Sequence, residues 1–153
     1  MPPAESTREL AIQAVEAAMA GIVAGADYWT TVRKVIRYEE YPDDLDTYPA
    51  VMVIGLDTEE NERDYVGRQT VWLNLALTAE LDSIVDYQQN TSRILDDMNK
   101  ALLSDPTLGG VVRNAQVLKT TPWLEPGENP RCGGTVLARV QYRHAVTDPY
   151  TPG

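Results

Sequence analysis

A single imidazole, a single thiol and a few hydroxyls make up the catalytic inventory of this chain. His144 is the only histidine, so no multi-histidine metal site can form within one copy, and a serine nucleophile would need that one ring as its base. None of Ser6, Ser83, Ser92 or Ser104 sits in a GxSxG elbow. His144 shares strand parity with Tyr142 and Val140, which predicts a core or interface role. Cys132 follows Arg131, and a neighbouring cation lowers a thiol pKa, but one flanking arginine is thin support and the thiol reads as inert. The pairs Gly109-Gly110 and Gly133-Gly134 lack the spacing of a dinucleotide loop, and no Gly-Lys pair exists for a P-loop. Asp43, Asp44 and Asp46 do not follow the alternating ligand positions of an EF-hand and read as a solvated loop. No spacing singles out a paired general acid and base. The expectation is a chain with no catalytic residue, no metal ligand and no cofactor, and hence not an enzyme.

The elements around these residues follow from periodicity. Ser6-Thr7-Arg8-Glu9 fits a capping box, and Ala11, Val15, Ala18, Met19 and Ile22 recur at helical spacing, which predicts a first helix over 7–24 stopped by Gly25. Tyr28 to Glu40 changes to a period of two, with Val32 and Ile36 on one face, and predicts a long strand. Ala50 to Leu56 reads as a buried strand, and Arg68 to Glu80 alternates Val71, Leu73, Leu75, Leu77 and Ala79 against polar positions. Those two should form a hairpin with a long polar tip. Ser83 is placed to cap a second helix whose stripe runs Ile84, Tyr87, Thr91, Ile94 or Leu95, Met98 and Leu102. Strands over 111–121 and 135–145 follow, joined by a loop over 122–134. The order αβββαββ predicts an α+β fold: one mainly antiparallel or mixed sheet of about five strands, with two helices on one face. One domain spans 1–153, with a core over about 7–145 and flexible ends at 1–6 and 146–153.

Thirteen Lys and Arg against 23 Asp and Glu leave a net charge of −10 over 153 residues. That excess argues against a grip on phosphate backbones or on anionic membrane surfaces. With one cysteine and no apolar run of about 20 residues, the chain is expected to be soluble and to fold in a reducing cytoplasm. The carboxylates are not spread evenly. Glu39, Glu40, Asp43, Asp44, Asp46, Asp57, Glu59, Glu60, Glu62 and Asp64 fall in two segments, both expected to be loops, with Arg63 the one base among them. Arg33, Arg37, Arg139 and Arg143 lie on strand faces, and ten arginines against three lysines suit carboxylate pairing at interfaces. An ordinary charged surface is one reading. The other is an acidic lobe that mates with an arginine face on a second copy.

The order and punctuation of these segments resemble the lambda-type tail terminator, or tail completion, proteins of long-tailed bacteriophages. The residues that carry the likeness are the opening amphipathic helix, Tyr48-Pro49-Ala50-Val51-Met52-Val53, the acidic hairpin feeding Val71 to Leu77, and Leu102-Leu103-Ser104-Asp105-Pro106-Thr107-Leu108-Gly109-Gly110. A last strand ending in Val140-Gln141-Tyr142 completes it, so the likeness covers about residues 8 to 145. The resemblance implies a structural virion protein: a homo-oligomeric ring, hexameric in that family, that caps the tail tube and ends its polymerisation. It would offer the head-joining surface at the head-proximal end of the tail, after assembly in the host cytoplasm. Its implied partners are copies of itself, the tail-tube protein and the head–tail connector protein, with no membrane. DNA would pass the lumen without specific binding. The acidic segments would face the lumen or tube, and Arg33, Arg37, Arg139 and Arg143 would serve subunit contacts. A head–tail adaptor or tail-tube subunit of the same virion is the alternative, and a small cytoplasmic enzyme or ligand-binding domain is a third reading.

Overall fold

The computed structural model describes residues 4–37, 46–63 and 66–152, less the side chains of residues 60–62. The first helix, α1 (Thr7–Ala20), starts where Ser6 Oγ accepts the Glu9 N–H at 3.1 Å. Its carboxylate partner in the expected box turns away: Glu9 accepts instead from Gln13 Nε2 at 2.9 Å and from Arg37. The helix buries Ala11, Ile12, Val15 and Met19. It ends four residues before the expected 24, because the loop beyond Gly21 has other partners for its backbone. Ile22 O accepts from Val32 N at 2.9 Å, and Gly25 N donates to Tyr28 O at 3.0 Å.

Strand β1 is only Lys34–Arg37, not the long strand expected over 28–40, and it runs parallel to β2 (Ala50–Arg63). The amides of Trp29 and Thr30 are bound by the Asp97 carboxylate, and that of Arg33 by Pro49 O at 2.9 Å, so no ladder forms before Lys34. The expected faces also change. Ile36 pairs with Met52, on the sheet side away from the core cluster, while Val35 packs on that cluster together with Val32.

The hairpin of β2 with β3 (Arg68–Leu81) stands as expected, from Ala50↔Glu80 to Arg63↔Gln69. Its acidic stretch is not a loop. Residues 57–63 continue β2 through two register shifts, because the backbones of Thr58, Glu59 and Glu60 find partners in Leu73, Trp72 and Val71 while the exposed Asp57 and Glu59 carboxylates need no burial.

The second helix, α2 (Tyr87–Leu103), starts at Asp86, whose φ is +52° and whose side chain makes no cap bond. Ser83 does not cap it; Ser83 Oγ accepts from Val85 N at 3.1 Å in the preceding turn, and Ile84 stays outside the helical stripe. The buried side chains are Thr91, Ile94, Leu95, Asp97, Met98, Ala101 and Leu102. After Ser104, Asp105 accepts from Thr107 Oγ1 at 2.7 Å and Gly109 N at 2.8 Å. Those bonds hold its carboxyl below the usual carboxylate range.

The remaining strands are β4 (Asn114–Glu125), β5 (Arg131–Ala145) and β6 (Asp148–Pro152). The 122–134 connection is therefore mostly strand, with only residues 126–130 between β4 and β5. The tail is not loose: β6 pairs with β5, and Thr7 Oγ1 donates to Pro149 O at 2.8 Å. The chain is an α+β protein with one six-stranded mixed sheet in the order β1-β2-β3-β5-β4, with β6 also on β5 and all pairs but β1–β2 antiparallel. Both helices pack on the side formed by Val51, Val53, Val71, Leu73, Leu75, Leu77, Val136, Ala138 and Val140. At Gly134 a Cβ would stand 2.4 Å from Leu95 Cδ2, so α2 lies directly on the β5 backbone there.

Candidate interaction surface

Alternation along β3 and β5 makes two unlike sheet sides. Val71 to Ala79 at odd positions are buried beneath the helices, while Thr70, Trp72, Asn74, Ala76 and Thr78 are half-buried on the other side. Register sets Arg143, Gln141, Arg139, Leu137 and Thr135 beside them on β5. The Arg139 guanidinium lies 4.2 Å from the centre of the Trp72 ring, and its Nε donates to Gln116 Oε1 at 2.9 Å. Arg143 Nε donates to Thr70 Oγ1 at 3.4 Å, and the Thr78 and Thr135 hydroxyls lie 3.2 Å apart. Toward β2 the charge reverses: Glu59 pairs across from Trp72, and Asp57 accepts from Asn74 Nδ2 at 3.3 Å. A stacked guanidinium keeps its charge while its orientation is fixed, which suits a flat protein contact.

The other expected site residues disperse. Glu39, Glu40, Asp43, Asp44 and Asp64 lie outside the described residues, as do the side chains of Glu60 and Glu62. Asp46 is exposed and accepts from Thr47 Oγ1 at 3.1 Å. Arg33 is exposed beside a polar cleft with Thr30, Asp82, Ser83 and Asn90. Arg37 is an internal brace rather than an exposed interface residue. It binds Glu9 and Glu16 of α1, and its bond to Glu9 raises its already high pKa and holds the Glu9 carboxyl below the usual range. Of the four arginines, only Arg139 and Arg143 share the open sheet side.

Three arrangements were not read from the sequence. Trp72 sits among polar positions of an otherwise clean alternation, and that oddity was the available signal for its stack with Arg139. Asp97, 3% exposed, accepts from Trp29 N at 3.0 Å, Thr30 N at 2.8 Å and Thr30 Oγ1 at 2.5 Å, so a buried carboxylate fixes a loop that leaves Trp29 69% exposed. Arg93 covers that ring at 4.5 Å. Glu80, 1% exposed, pairs with Arg131 through one oxygen. Arg131 therefore serves Glu80, and the thiol it precedes is buried, donates to Ser83 O at 3.3 Å, and has its pKa raised by burial and by Asp82 and Glu80. His144 is half-buried, with Nδ1 2.7 Å from Ala145 O and its ring tilted on Tyr142. Among the described residues no group of three or more His, Cys, Asp or Glu is placed to hold a metal ion, and no helix is long and apolar enough to cross a membrane. No protein-family model matches the chain, and no curated protein matches it.

Proposed function

We propose that this chain is a structural, non-enzymatic subunit of a homo-oligomeric ring that caps the tail tube of a long-tailed phage, ends its growth and offers the surface for head joining. The observation that carries this reading is the division of charge on the open sheet side, with Asp57 and Glu59 toward β2 and Arg139 and Arg143 on β5. An acidic edge and a basic centre on one side favour a head-to-tail contact between copies, the kind that closes into a ring when the rotation allows. The resemblance in segment order supplies the tail. Carboxylates left at the lumen repel phosphate, so DNA slides past while the ring binds the tail-tube and connector proteins.

Tails assembled without the protein should show tubes of uncontrolled length by electron microscopy. Adding the wild type should restore a defined length, and the double variant Arg139→Glu/Arg143→Glu should do so only at about ten-fold higher concentration or more. Normal tail length without the protein overturns the reading. Indefinite polymerisation of the purified chain assigns it to the tube instead.

A further inference from the structure

Two exposed apolar groups stand beside α2, one at its middle and one at its start, and the charges next to them are opposite. At the middle is Trp29, held out to solvent by the loop whose amides Asp97 binds and covered on one face by Arg93. At the start the 83–86 turn holds out Val85, 68% exposed, and Ile84. That turn is tied down as the Trp29 loop is. Val85 N donates to Ser83 Oγ at 3.1 Å, Val85 O accepts from Asn90 Nδ2 at 3.2 Å, and Ser83 O accepts from the Cys132 thiol at 3.3 Å. Large apolar side chains fixed in water add nothing to the core, and a rigid tryptophan beside an arginine has the composition of a contact anchor. Because both segments are already ordered, docking them costs little entropy.

The charges say what the contact is with. Arg93 lies over Trp29, while the exposed Asp86 adjoins Val85. Neither Arg93 nor Asp86 enters an ion pair among the described residues. They are seven residues apart, which is two turns, or about 10 Å, along one face of the helix. Side chains that far apart do not meet within one helix, where neighbours are three or four residues away. A second copy laid antiparallel brings them together. A two-fold axis passing between residues 89 and 90, midway from Asp86 to Arg93, sets each Arg93 against the Asp86 of the other copy. The same rotation sets each Trp29 toward the Val85 and Ile84 of the other copy. One patch thus carries both halves of its own complement, which is what an isologous interface requires.

We propose that this face of α2 pairs antiparallel with the same face of a second copy, with Trp29 packed on Val85 and Ile84 and Arg93 paired with Asp86 across a two-fold axis. This does not rest on the tail-ring reading, whose contact lies on the open sheet side, and either can fail alone.

Sedimentation equilibrium of the purified chain should show monomers and dimers in exchange at or below about 500 µM, as for a small transient contact. Trp29→Ala should weaken the dimer at least about ten-fold. Arg93→Glu and Asp86→Lys, each of which sets like charges across the axis, should do the same alone. Mixed, those two variants should form a heterodimer about as tight as the wild-type dimer, because both ion pairs return. Arg139→Glu/Arg143→Glu should dimerise like wild type. A further variant reads the axis directly: oxidised Gln89→Cys should cross-link into a covalent dimer while Glu125→Cys, exposed at the end of β4, does not, since a disulfide needs Cα atoms within about 7 Å. A chain that stays monomeric at about 500 µM overturns the proposal. So does a dimer indifferent to Trp29→Ala or lost in Arg139→Glu/Arg143→Glu, the absence of a heterodimer on mixing, or equal cross-linking at the two cysteines.

Discussion

Asp97 stands on the buried stripe of α2, yet its carboxylate serves a loop 67 and 68 residues earlier in the chain. Hydrogen bonds from charged groups in a low-dielectric setting are stronger than neutral ones, and removing the acceptor leaves two backbone donors unsatisfied. Asp97→Asn keeps one acceptor oxygen but turns an amide N–H₂ toward donors, so it should cost about 2–4 kcal/mol in denaturant unfolding. Hydrogen exchange of the Trp29 and Thr30 amides should accelerate with it, while amides of β3 and β5 keep their order of protection. The Glu9–Arg37 contact gives a pH signature. The folded carboxyl titrates below its unfolded value near 4.5, so its contribution is present above that pH and is lost as pH falls through the lower folded value. Both groups are about one-quarter exposed, which screens the pair. Arg37→Met should therefore lower stability by about 1 kcal/mol at pH 7, with the gap to wild type narrowing below pH 4. None of this was legible in the sequence: an aspartate on a helical stripe looks like an imperfection in the pattern until its partners are known. The inert thiol was legible, because a single flanking arginine is too little to activate it, but its burial on β5 was not, because residues 122–134 read as a loop.

At the scale of elements, legibility followed contrast between faces. Strands β3 and β5 were readable because every second residue changes from aliphatic to polar, and both strands have neighbours along their length. Strand β1 was not, because its end is set by backbone donors in residues 29–33 that are taken by Asp97 and Pro49. The extension of β2 through Glu59 was hidden because an exposed acidic strand has no apolar signal. Strand β6 was hidden because its partners, Thr7 and β5, are distant in sequence or joined through a short turn. The contact between α2 and β5 has a local requirement that a sequence pattern does not announce. Gly134→Ala forces a methyl against Leu95 and should destabilise by about 1–3 kcal/mol, measured by thermal melts. Leu95→Ala in the same chain should recover part of that loss if the clash is its cause, and a purely additive loss would refute the explanation.

At the scale of the whole molecule, the fold class was available from element order alone, while the candidate surface was only half available. Four arginines on strand faces looked alike in sequence; the sheet put Arg139 and Arg143 on its open side and turned Arg37 inward to α1. Parity was enough to place Arg139 and Arg143 on one side of β5, but it misplaced Ile36 on β1 and could not say which side a helix covers. Removing Glu80's partner tests how far the molecule depends on one internal charge: Arg131→Ala leaves a buried carboxylate unpaired and should cost about 3–5 kcal/mol, seen as a lower denaturant midpoint. The reverse change at the surface, Arg139→Gln, should stay within about 1 kcal/mol and alter self-association instead.

The bond from Thr7 to Pro149 brings the beginning of α1 against the last strand. Considered as a mechanical device, this arrangement sets the order in which the molecule yields. A load applied between the two ends should fall first on the few bonds of β6 and on that one hydroxyl, before it reaches the long ladders of β5, β3 and β2. The same proximity permits a rearranged gene: joining the ends through a short Gly/Ser link and opening the chain at Gly127, in the exposed β4–β5 turn, should give a permutant with the native circular-dichroism spectrum.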